Sequence, residues 1–135
     1  QNPTQRFWTI RDFRYLQRAN YGHMNSSVMW WNTMTYSWVW DRFLELGITA
    51  ATHRYPGDQD FLQAVLGSEH VRFLPDQEFQ SWRWSACDGG YDFARRRHRA
   101  PGTGARINPL TSVLVFHGHP KPHVVTDPEI RALWL

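Results

Sequence analysis

The sequence is poor in cysteine, in long apolar runs and in charged residues. Its single cysteine, Cys87, excludes a disulfide within the chain and is compatible with a reducing compartment. No apolar run approaches the roughly 20 residues that a membrane helix needs, and no charged-then-apolar leader is present. Charged residues make up 20% of the chain and the formal net charge is +3, which favours a phosphate-bearing partner only weakly. We therefore expect a cytoplasmic protein without a membrane span.

Aromatic residues are unusually frequent in this chain. The chain of 135 residues contains eight Trp, eight Phe and five Tyr. Such side chains bury large areas in a core, and they also stack on sugar rings and on bases. The length is enough for a proper hydrophobic core, so we expect residues 1–135 to form a single domain.

Short apolar runs rich in β-branched and aromatic residues predict the strands. They lie at residues 28–31, 71–74, 79–84 and 112–116. Residues 6–15 mix aromatic side chains and arginines without a clean period, which indicates a short strand or an extended segment. Asn, Gly and Ser predict a turn at 21–27, and residues 49–55 are expected to be connecting chain. The glycines and prolines of 85–109 predict a long loop.

Three segments predict helices between these strands. Their expected starts are Thr33 or Thr35, Asp58, and Thr126 or Asp127, and the first two are expected to end at Leu46 and Gly67. Val39, Phe43 and Leu46 share one face of the first helix, with Gly47 after its end. The buried side of the last helix is expected to carry Ile130, Leu133 and Trp134. Interleaved strands and helices indicate the α/β class.

The strand at 112–116 leads into a loop rich in imidazole groups. Three histidines and one lysine fall within seven residues, at His117, His119, Lys121 and His123. Gly118 allows a ligand to approach the backbone closely, and the neighbouring prolines restrict the loop. A rigid strand that delivers such a loop to its carboxyl end is suited to an anion or an anion–metal pair.

Three motifs follow one another along the chain. They are Asn25-Ser26-Ser27-Val28-Met29-Trp30, Gly57-Asp58-Gln59-Asp60-Phe61-Leu62 and Phe116-His117-Gly118-His119-Pro120-Lys121-Pro122. In this order and spacing they resemble the C-terminal half of GT-A-type nucleotide-sugar glycosyltransferases, in particular the bacterial, glycogenin-like branch. The resemblance covers roughly residues 20 to 125. It implies a partial GT-A-like mixed sheet with about three flanking helices, and a nucleotide-sugar and a glycan acceptor as partners.

The resemblance also implies roles for single residues. Asp58 would bond the hydroxyl groups of the donor sugar and Gln59 would lie near its anomeric carbon, where positive charge develops. The further substrate-binding residues would be Asn25, Ser26, Ser27, Gly118 and Lys121, the last two holding the diphosphate. His117 would bind Mn²⁺ or Mg²⁺, although the family's metal-binding histidine stands three residues before the glycine, where this chain has Val115.

One part of the family's machinery has no counterpart in this sequence. The family binds its cation through an Asp-x-Asp motif that follows an N-terminal nucleotide-binding region. The only Asp-x-Asp of this chain, Asp58-Gln59-Asp60, already matches a different motif. We therefore expect a truncated, sugar- and acceptor-facing half that is inactive without the missing half, which leaves open whether the chain is itself an enzyme. The start at Gln1 leads us to expect that upstream residues were removed or left out. A divided sheet exposes an edge, so we expect a homo-oligomer.

Other functions stay open. Aromatic, Asp, Asn and Gln side chains suffice for a non-catalytic carbohydrate-binding module. The basic run 95–99 and exposed tryptophans suit single-stranded nucleic acid, although a short basic run in a Gly/Pro loop is more typical of a solvated surface. A zinc site at His117, His119 and His123 would lack the cysteines of common structural sets. Asp58 also fits a plain helix cap, and Lys121 a solvated loop lysine.

Overall fold

The computed structural model describes residues 6–86, 91–92, 97–98, 106–117 and 121–134, without the side chains of Tyr91, Asp92, Arg97, His98 and Trp134. The chain divides into two compact units, which we call the first unit (Gln1–Leu74) and the second unit (Pro75–Leu135). The described residues form a mixed α/β structure with a small mixed sheet and several helices, so the predicted α/β class is confirmed. The expected single domain over 1–135 stays a prediction.

The first unit is built on a three-stranded sheet in the order β2-β1-β3. Its central strand β1 (Phe7–Arg11) pairs antiparallel with β2 (Met24–Trp30) and parallel with β3 (Val71–Phe73). The sheet is therefore mixed, as expected, and β3 lies within the segment predicted to be extended. A short 3₁₀-helix, Phe13–Leu16, follows β1.

A bulge interrupts the pairing of β2 with β1. Thr9 pairs with Met29, but the next residue, Ile10, pairs with Asn25, so residues 26–28 protrude from the ladder. The turn predicted at 21–27 was wrong for residues 24–27, because their local hydrogen bonding shapes this bulge inside a strand. The expected burial of 28–31 was also wrong at its end, since β2 is an edge strand and Trp30 is 53% exposed.

Two helices follow β2 and are separated by one glycine. Helix α1 is Ser37–Leu46 and helix α2 is Ile48–Arg54. Gly47 lies between them with φ 77° and ψ 150°, and its N–H donates to the carbonyl of Phe43. The predicted end of α1 is thus confirmed. The prediction of connecting chain at 49–55 was wrong, because residues 48–54 form a helix.

The predicted caps of α1 at Thr33 or Thr35 were wrong. The side chain of Asn32 instead accepts hydrogen bonds from the N–H groups of Met34 and Thr35, at 3.0 and 3.2 Å. This closes a turn ahead of the helix, and Tyr36 occupies the cap position without a side-chain cap bond.

Helix α3 (Asp58–His70) begins after Gly57 and is broken at Gly67, where φ is 64° and ψ is 177°. The predicted stop at Gly67 therefore coincides with the break, and one further turn leads into β3. Gly57 is the N-cap residue and Asp58 the first helical residue, so the cap predicted at Asp58 was wrong. The carboxylate of Asp58 accepts from the N–H of Gln59 at 2.8 Å. Gln63 ties α3 to β2, because its Oε1 accepts from the N–H of Met24 at 2.9 Å.

One buried cluster of the first unit lies between the sheet and α3, and its buried members are Phe7, Met24, Tyr36, Leu66 and Val71. Ile10, Phe13 and Ala51 are buried as well. Strand residues supply one side of this cluster and α3 supplies Leu66. None of the described helices is both long enough and apolar enough to cross a membrane.

In the second unit, β4 (Phe79–Ser81) pairs in parallel with β7 (Val113–Val115), and the two-residue strands β5 (Tyr91–Asp92) and β6 (Arg97–His98) pair antiparallel. The predicted strand at 112–116 is confirmed. The strand predicted at 79–84 ends at Ser81 because a π-helical turn, Trp82–Ala86, follows. The Ser85 hydroxyl donates to the Ser81 carbonyl at 3.1 Å in that turn.

Helix α4 (Pro128–Trp134) ends the described chain, and its predicted start is confirmed. The Asp127 carboxylate accepts from the N–H groups of Glu129 and Ile130, at 3.0 and 3.3 Å. Ile130 joins a buried cluster with Trp82, Ala86 and Val125. The expected burial of Leu133 was wrong, since it is 76% exposed and only the first turn of this seven-residue helix enters the cluster. The side chain of Trp134 lies outside the described residues.

Candidate ligand pocket

The first unit contains a cavity of about 560 Å³, which we call the aromatic pocket. Its lining comes from β1, β2, α1, α2, the start of α3 and the turns that join them. Seven lining residues are aromatic: Phe7, Trp31, Tyr36, Trp40, Phe43, Tyr55 and Phe61. The others are Met29, Val39, Ala51, Thr52, Pro56, Gly57, Asp58 and Leu62. This volume falls in the range typical of small-molecule sites.

One group of aromatic rings is centred on β1. Phe7 stacks on Trp31 with ring centroids 5.2 Å apart, and it meets Tyr36 edge-on at 5.7 Å. Both geometries are favourable for the ring quadrupoles. Phe7 also belongs to the core, so this side of the pocket is fixed by the packing of the sheet.

A second group of rings joins α1 to α3. Trp40 stacks on Phe43 with centroids 5.4 Å apart. Phe61 meets Phe43 and Tyr55 edge-on, at 5.7 and 5.5 Å. Because these rings hold one another, the aromatic surfaces are positioned without help from a ligand.

Burial changes across the lining. Phe7 and Tyr36 are 2% and 3% exposed, and Ala51 is also buried. Trp31 and Trp40, by contrast, are 38% and 61% exposed. Thr52 and Asp58 are exposed as well. We call the exposed residues of the lining, among them Trp31, Trp40, Thr52 and Asp58, the mouth of the pocket, and the buried residues its interior, where the phenolic hydroxyl of Tyr36 is the only polar side-chain group that the described residues supply.

Asp58 is the only residue with a formal charge among the described residues that line the pocket. The start of α3 fixes its position, and its Oδ1 already accepts the bond from the N–H of Gln59. Thr52 donates its hydroxyl proton to the carbonyls of Ile48 and Thr49, at 2.9 and 3.1 Å. Its oxygen keeps lone pairs that can accept a hydrogen bond from a ligand.

Gln59, which the sequence pairs with Asp58, does not line the pocket. Its Nε2 donates to Oδ2 of Asp12 at 3.3 Å. Asp12 is buried, and its Oδ1 accepts from the N–H of Arg14 at 2.9 Å as the cap of the 3₁₀-helix. The structure thus brings Asp58 to the pocket and places the amide of Gln59 in a contact that stabilises the turn after β1.

The predicted substrate residues Asn25, Ser26 and Ser27 lie at the bulge of β2 and are not part of the pocket lining. Asn25 is buried, and its side chain accepts from the N–H of Ser27 at 2.9 Å. Met29, from the same motif, does line the pocket. The motif therefore contributes to the pocket through its apolar part.

The remaining predicted site residues belong to the second unit. His117 is half-buried after β7, and Lys121 is exposed just before the short 3₁₀-helix Pro122–Val124. Gly118 and His119 lie outside the described residues. No group of three or more His, Cys, Asp or Glu side chains within the described ranges could hold a metal ion. Mn²⁺ or Mg²⁺ at His117 stays a prediction, and the cation would need ligands from a bound molecule or from residues outside those ranges.

The basic run 95–99 falls on residues whose side chains lie outside the described part of the chain; the backbone of Arg97 and His98 forms β6. The nucleic-acid alternative that rests on this run stays a prediction.

Sequence reasoning missed the pocket as a unit, although it named parts of it. Val39 and Phe43, predicted to share a face of α1, both line it. The missed residues are Trp31, Trp40, Thr52 and Tyr55. The excess of aromatic residues was the signal that could have indicated the pocket. Because residues 49–55 were predicted as connecting chain and α2 was not recognised, there was no reason to expect Thr52 and Tyr55 near α1.

No protein-family model, no curated protein and no solved structure matches the chain. The glycosyltransferase resemblance therefore rests on the three sequence motifs alone.

Proposed function

We propose that the first unit binds a carbohydrate at the mouth of the aromatic pocket. The observation that carries this proposal is the presence of two exposed indoles, Trp31 and Trp40, on the same cavity as the carboxylate of Asp58. A pyranose has an apolar face of C–H groups that packs on an aromatic ring, and hydroxyl groups around its edge that need acceptors. The mouth offers both.

The charge of the lining favours a neutral group of the ligand over an anionic group in the pocket. Asp58 supplies the only formal charge among the described lining residues. The guanidinium of Arg54 lies over the ring of Tyr55, 5.6 Å from its centroid, but Arg54 is not itself a described lining residue. A phosphate or carboxylate placed against Asp58 would meet a like charge. A hydroxyl group, in contrast, donates to the carboxylate in a charge-assisted hydrogen bond.

The test is a titration with the methyl glycosides of glucose, galactose and mannose, followed by isothermal calorimetry and by tryptophan fluorescence. Asp58→Asn should weaken binding of the preferred sugar by about tenfold or more, because a hydrogen bond to a charged group contributes about 1.5–3 kcal/mol. Trp40→Ala should weaken it by roughly three- to tenfold, as the loss of about 0.5–1.5 kcal/mol of ring contact implies.

Two matched controls come from the same unit. Asp60→Asn changes an exposed carboxylate two residues along α3, and Trp30→Ala removes an exposed indole, and neither residue lines the pocket. Both variants should keep the affinity of the unaltered chain. If no glycoside binds, or if the controls weaken binding as much as Asp58→Asn and Trp40→Ala do, the proposal is wrong.

A glycosyltransferase-like role for a nucleotide sugar is the second candidate, and the position of Asp58 on the pocket favours it. On this proposal Asp58 bonds the hydroxyl groups of the donor hexose. Gly118 and Lys121 would hold the diphosphate, and His117 would be a ligand of Mn²⁺ or Mg²⁺. The partial GT-A-like fold and the glycan acceptor belong to the same proposal. Gln59 would act near the anomeric carbon only after leaving its contact with Asp12.

Titration with UDP- and GDP-sugars, with and without Mn²⁺, tests the second candidate. Asp58→Asn and Lys121→Ala should each reduce affinity for the nucleotide sugar while the fold, followed by circular dichroism, stays intact. Weakening by Asp58→Asn alone, with Lys121→Ala binding like the unaltered chain, would favour simple carbohydrate binding. Loss of the fold in both variants would show that both residues are structural.

Self-association belongs to these proposals as well. Several large apolar side chains of the first unit are exposed, including Met34, Leu44 and Ile48, and exposed apolar surface promotes contact between copies of a chain. Sedimentation velocity over a hundredfold range of concentration should show a homo-oligomer. A cytoplasmic location likewise stays a proposal from the single cysteine.

A further inference from the structure

Polarity in the aromatic pocket is divided between its mouth and its interior. Asp58 and Thr52, which are exposed, supply a carboxylate and a hydroxyl at the mouth. The interior is formed by the buried residues Phe7, Tyr36 and Ala51, with the half-buried Leu62 beside them. A ligand that fills the cavity therefore meets two different environments.

A free hexose does not suit the whole cavity. It carries hydroxyl groups around its entire edge, and the single phenolic hydroxyl of Tyr36 cannot pair with all of them, so the others would be strongly disfavoured in the interior. The sugar is therefore restricted to the mouth. The interior, within a total of about 560 Å³, would then be filled either by poorly bonded water or by an apolar group, and the apolar group is favoured because it buries hydrocarbon surface.

We infer that the ligand is an amphiphilic glycoside, a sugar joined to an alkyl or aryl group. The sugar lies at the mouth against Trp40 and Asp58, and the apolar aglycone lies inside against Phe7 and Ala51. This inference rests on the proposed carbohydrate function and adds the chemical class of the ligand. Both parts of the ligand are needed for tight binding, because each meets the lining that matches it.

The experiment is a calorimetric titration with methyl, butyl, hexyl and octyl β-glucoside, each below its micelle concentration, and with benzene as the purely apolar probe. Affinity should rise by about fourfold for each methylene that enters the interior, as hydrocarbon transfer implies. Octyl glucoside should therefore bind at least about tenfold more tightly than methyl glucoside. Saturation-transfer NMR from the aromatic protons should give stronger signals on the alkyl chain of octyl glucoside than on the carbon-bound H4 and H6 protons of its sugar.

Variants locate the two parts of the ligand. Ala51→Leu fills the interior and should weaken octyl glucoside by about tenfold, whereas Ala64→Leu, at an exposed position of α3 away from the pocket, should not. Asp58→Asn should weaken every glucoside by a similar factor and leave benzene unaffected. The chain-length series on the unaltered chain decides the question even where Ala51→Leu fails to fold.

The outcomes separate the inference from the function on which it rests. Equal affinity for methyl and octyl glucoside, with both weakened by Asp58→Asn, overturns the amphiphilic ligand and leaves carbohydrate binding in place. Equal affinity for benzene and hexyl glucoside, with no effect of Asp58→Asn on either, overturns carbohydrate binding itself. A chain-length dependence that Asp58→Asn shifts uniformly supports both.

Discussion

The hydroxyl of Thr9 donates a 2.7 Å hydrogen bond to the backbone carbonyl of Asn25, across the antiparallel pair β1–β2. The same hydroxyl lies 3.1 Å from the carbonyl of Val28. Thr9 and Asn25 are buried and Val28 is half-buried, so the carbonyl of Asn25 in particular depends on this donor. One side chain of the central strand therefore holds both ends of the bulge that displaces residues 26–28.

Thr9→Val should destabilise the first unit. Valine has nearly the shape of threonine but no hydroxyl, so the two carbonyls lose this donor at a cost of about 1–3 kcal/mol. Urea unfolding followed by circular dichroism measures the change. Thr9→Ser, which keeps the hydroxyl, should lose less. If Thr9→Val is as stable as the unaltered chain, the hydroxyl does not hold the bulge.

Gln59 distinguishes the two proposed functions. If it acts through its 3.3 Å contact with Asp12, Gln59→Ala should lower the free energy of unfolding by about 1 kcal/mol and keep the affinity for methyl glycosides. If it acts near the anomeric carbon, the same variant should weaken binding of the nucleotide sugar. Denaturant unfolding and calorimetry on one preparation give both values, and unchanged stability would remove the structural role.

Gly47→Ala should destabilise the first unit through the backbone alone. Gly47 has φ 77° and ψ 150°, a combination that residues with a Cβ rarely adopt, at a cost of about 1–3 kcal/mol. No atom lies within 4 Å of a Cβ built there, so no clash adds to the effect. Gly22→Ala is the matched control, because that position is equally open and has no positive φ. Equal unfolding midpoints for both variants would contradict the expectation.

The start of α4 provides a test in the second unit. Asp127→Ala removes the acceptor for the N–H groups of Glu129 and Ile130 and should cost about 1 kcal/mol. Asp127→Asn keeps a side-chain oxygen in place and should cost less. Thermal unfolding followed by far-UV circular dichroism would report the difference. A stronger loss in the Asn variant would show that the charge matters more than the cap.

Local rules predicted the elements that depend on short-range chemistry. Asp127 and Pro128 marked the start of α4, Gly47 marked the end of α1, and the β-branched run marked β7. Rules of the same kind failed at residues 24–27, because turn-forming side chains were used to shape a bulge held by Thr9. That residue is 15 or more positions away in the sequence, and no local pattern reveals such a partner.

The candidate site was less predictable than the fold. Asp58 could be named from its motif, and Val39 and Phe43 from helical spacing. Trp31 and Trp40 could not be chosen from among eight tryptophans, because their role depends on which rings meet once β1, α1 and α3 have packed. Helix α2 is short and has a weak apolar pattern, so its contribution of Ala51 and Thr52 is a result of tertiary packing.

Gly47 does not line the aromatic pocket, but its position in the chain would influence which ligands fit there. Val39, Trp40 and Phe43 come from the helix before it, and Ala51 and Thr52 from the helix after it. Two torsion angles at one residue consequently set the spacing of these opposing surfaces. A substitution that changes the torsion angles of Gly47 should therefore change the size of ligand that fits the pocket, while every side chain of the lining is kept.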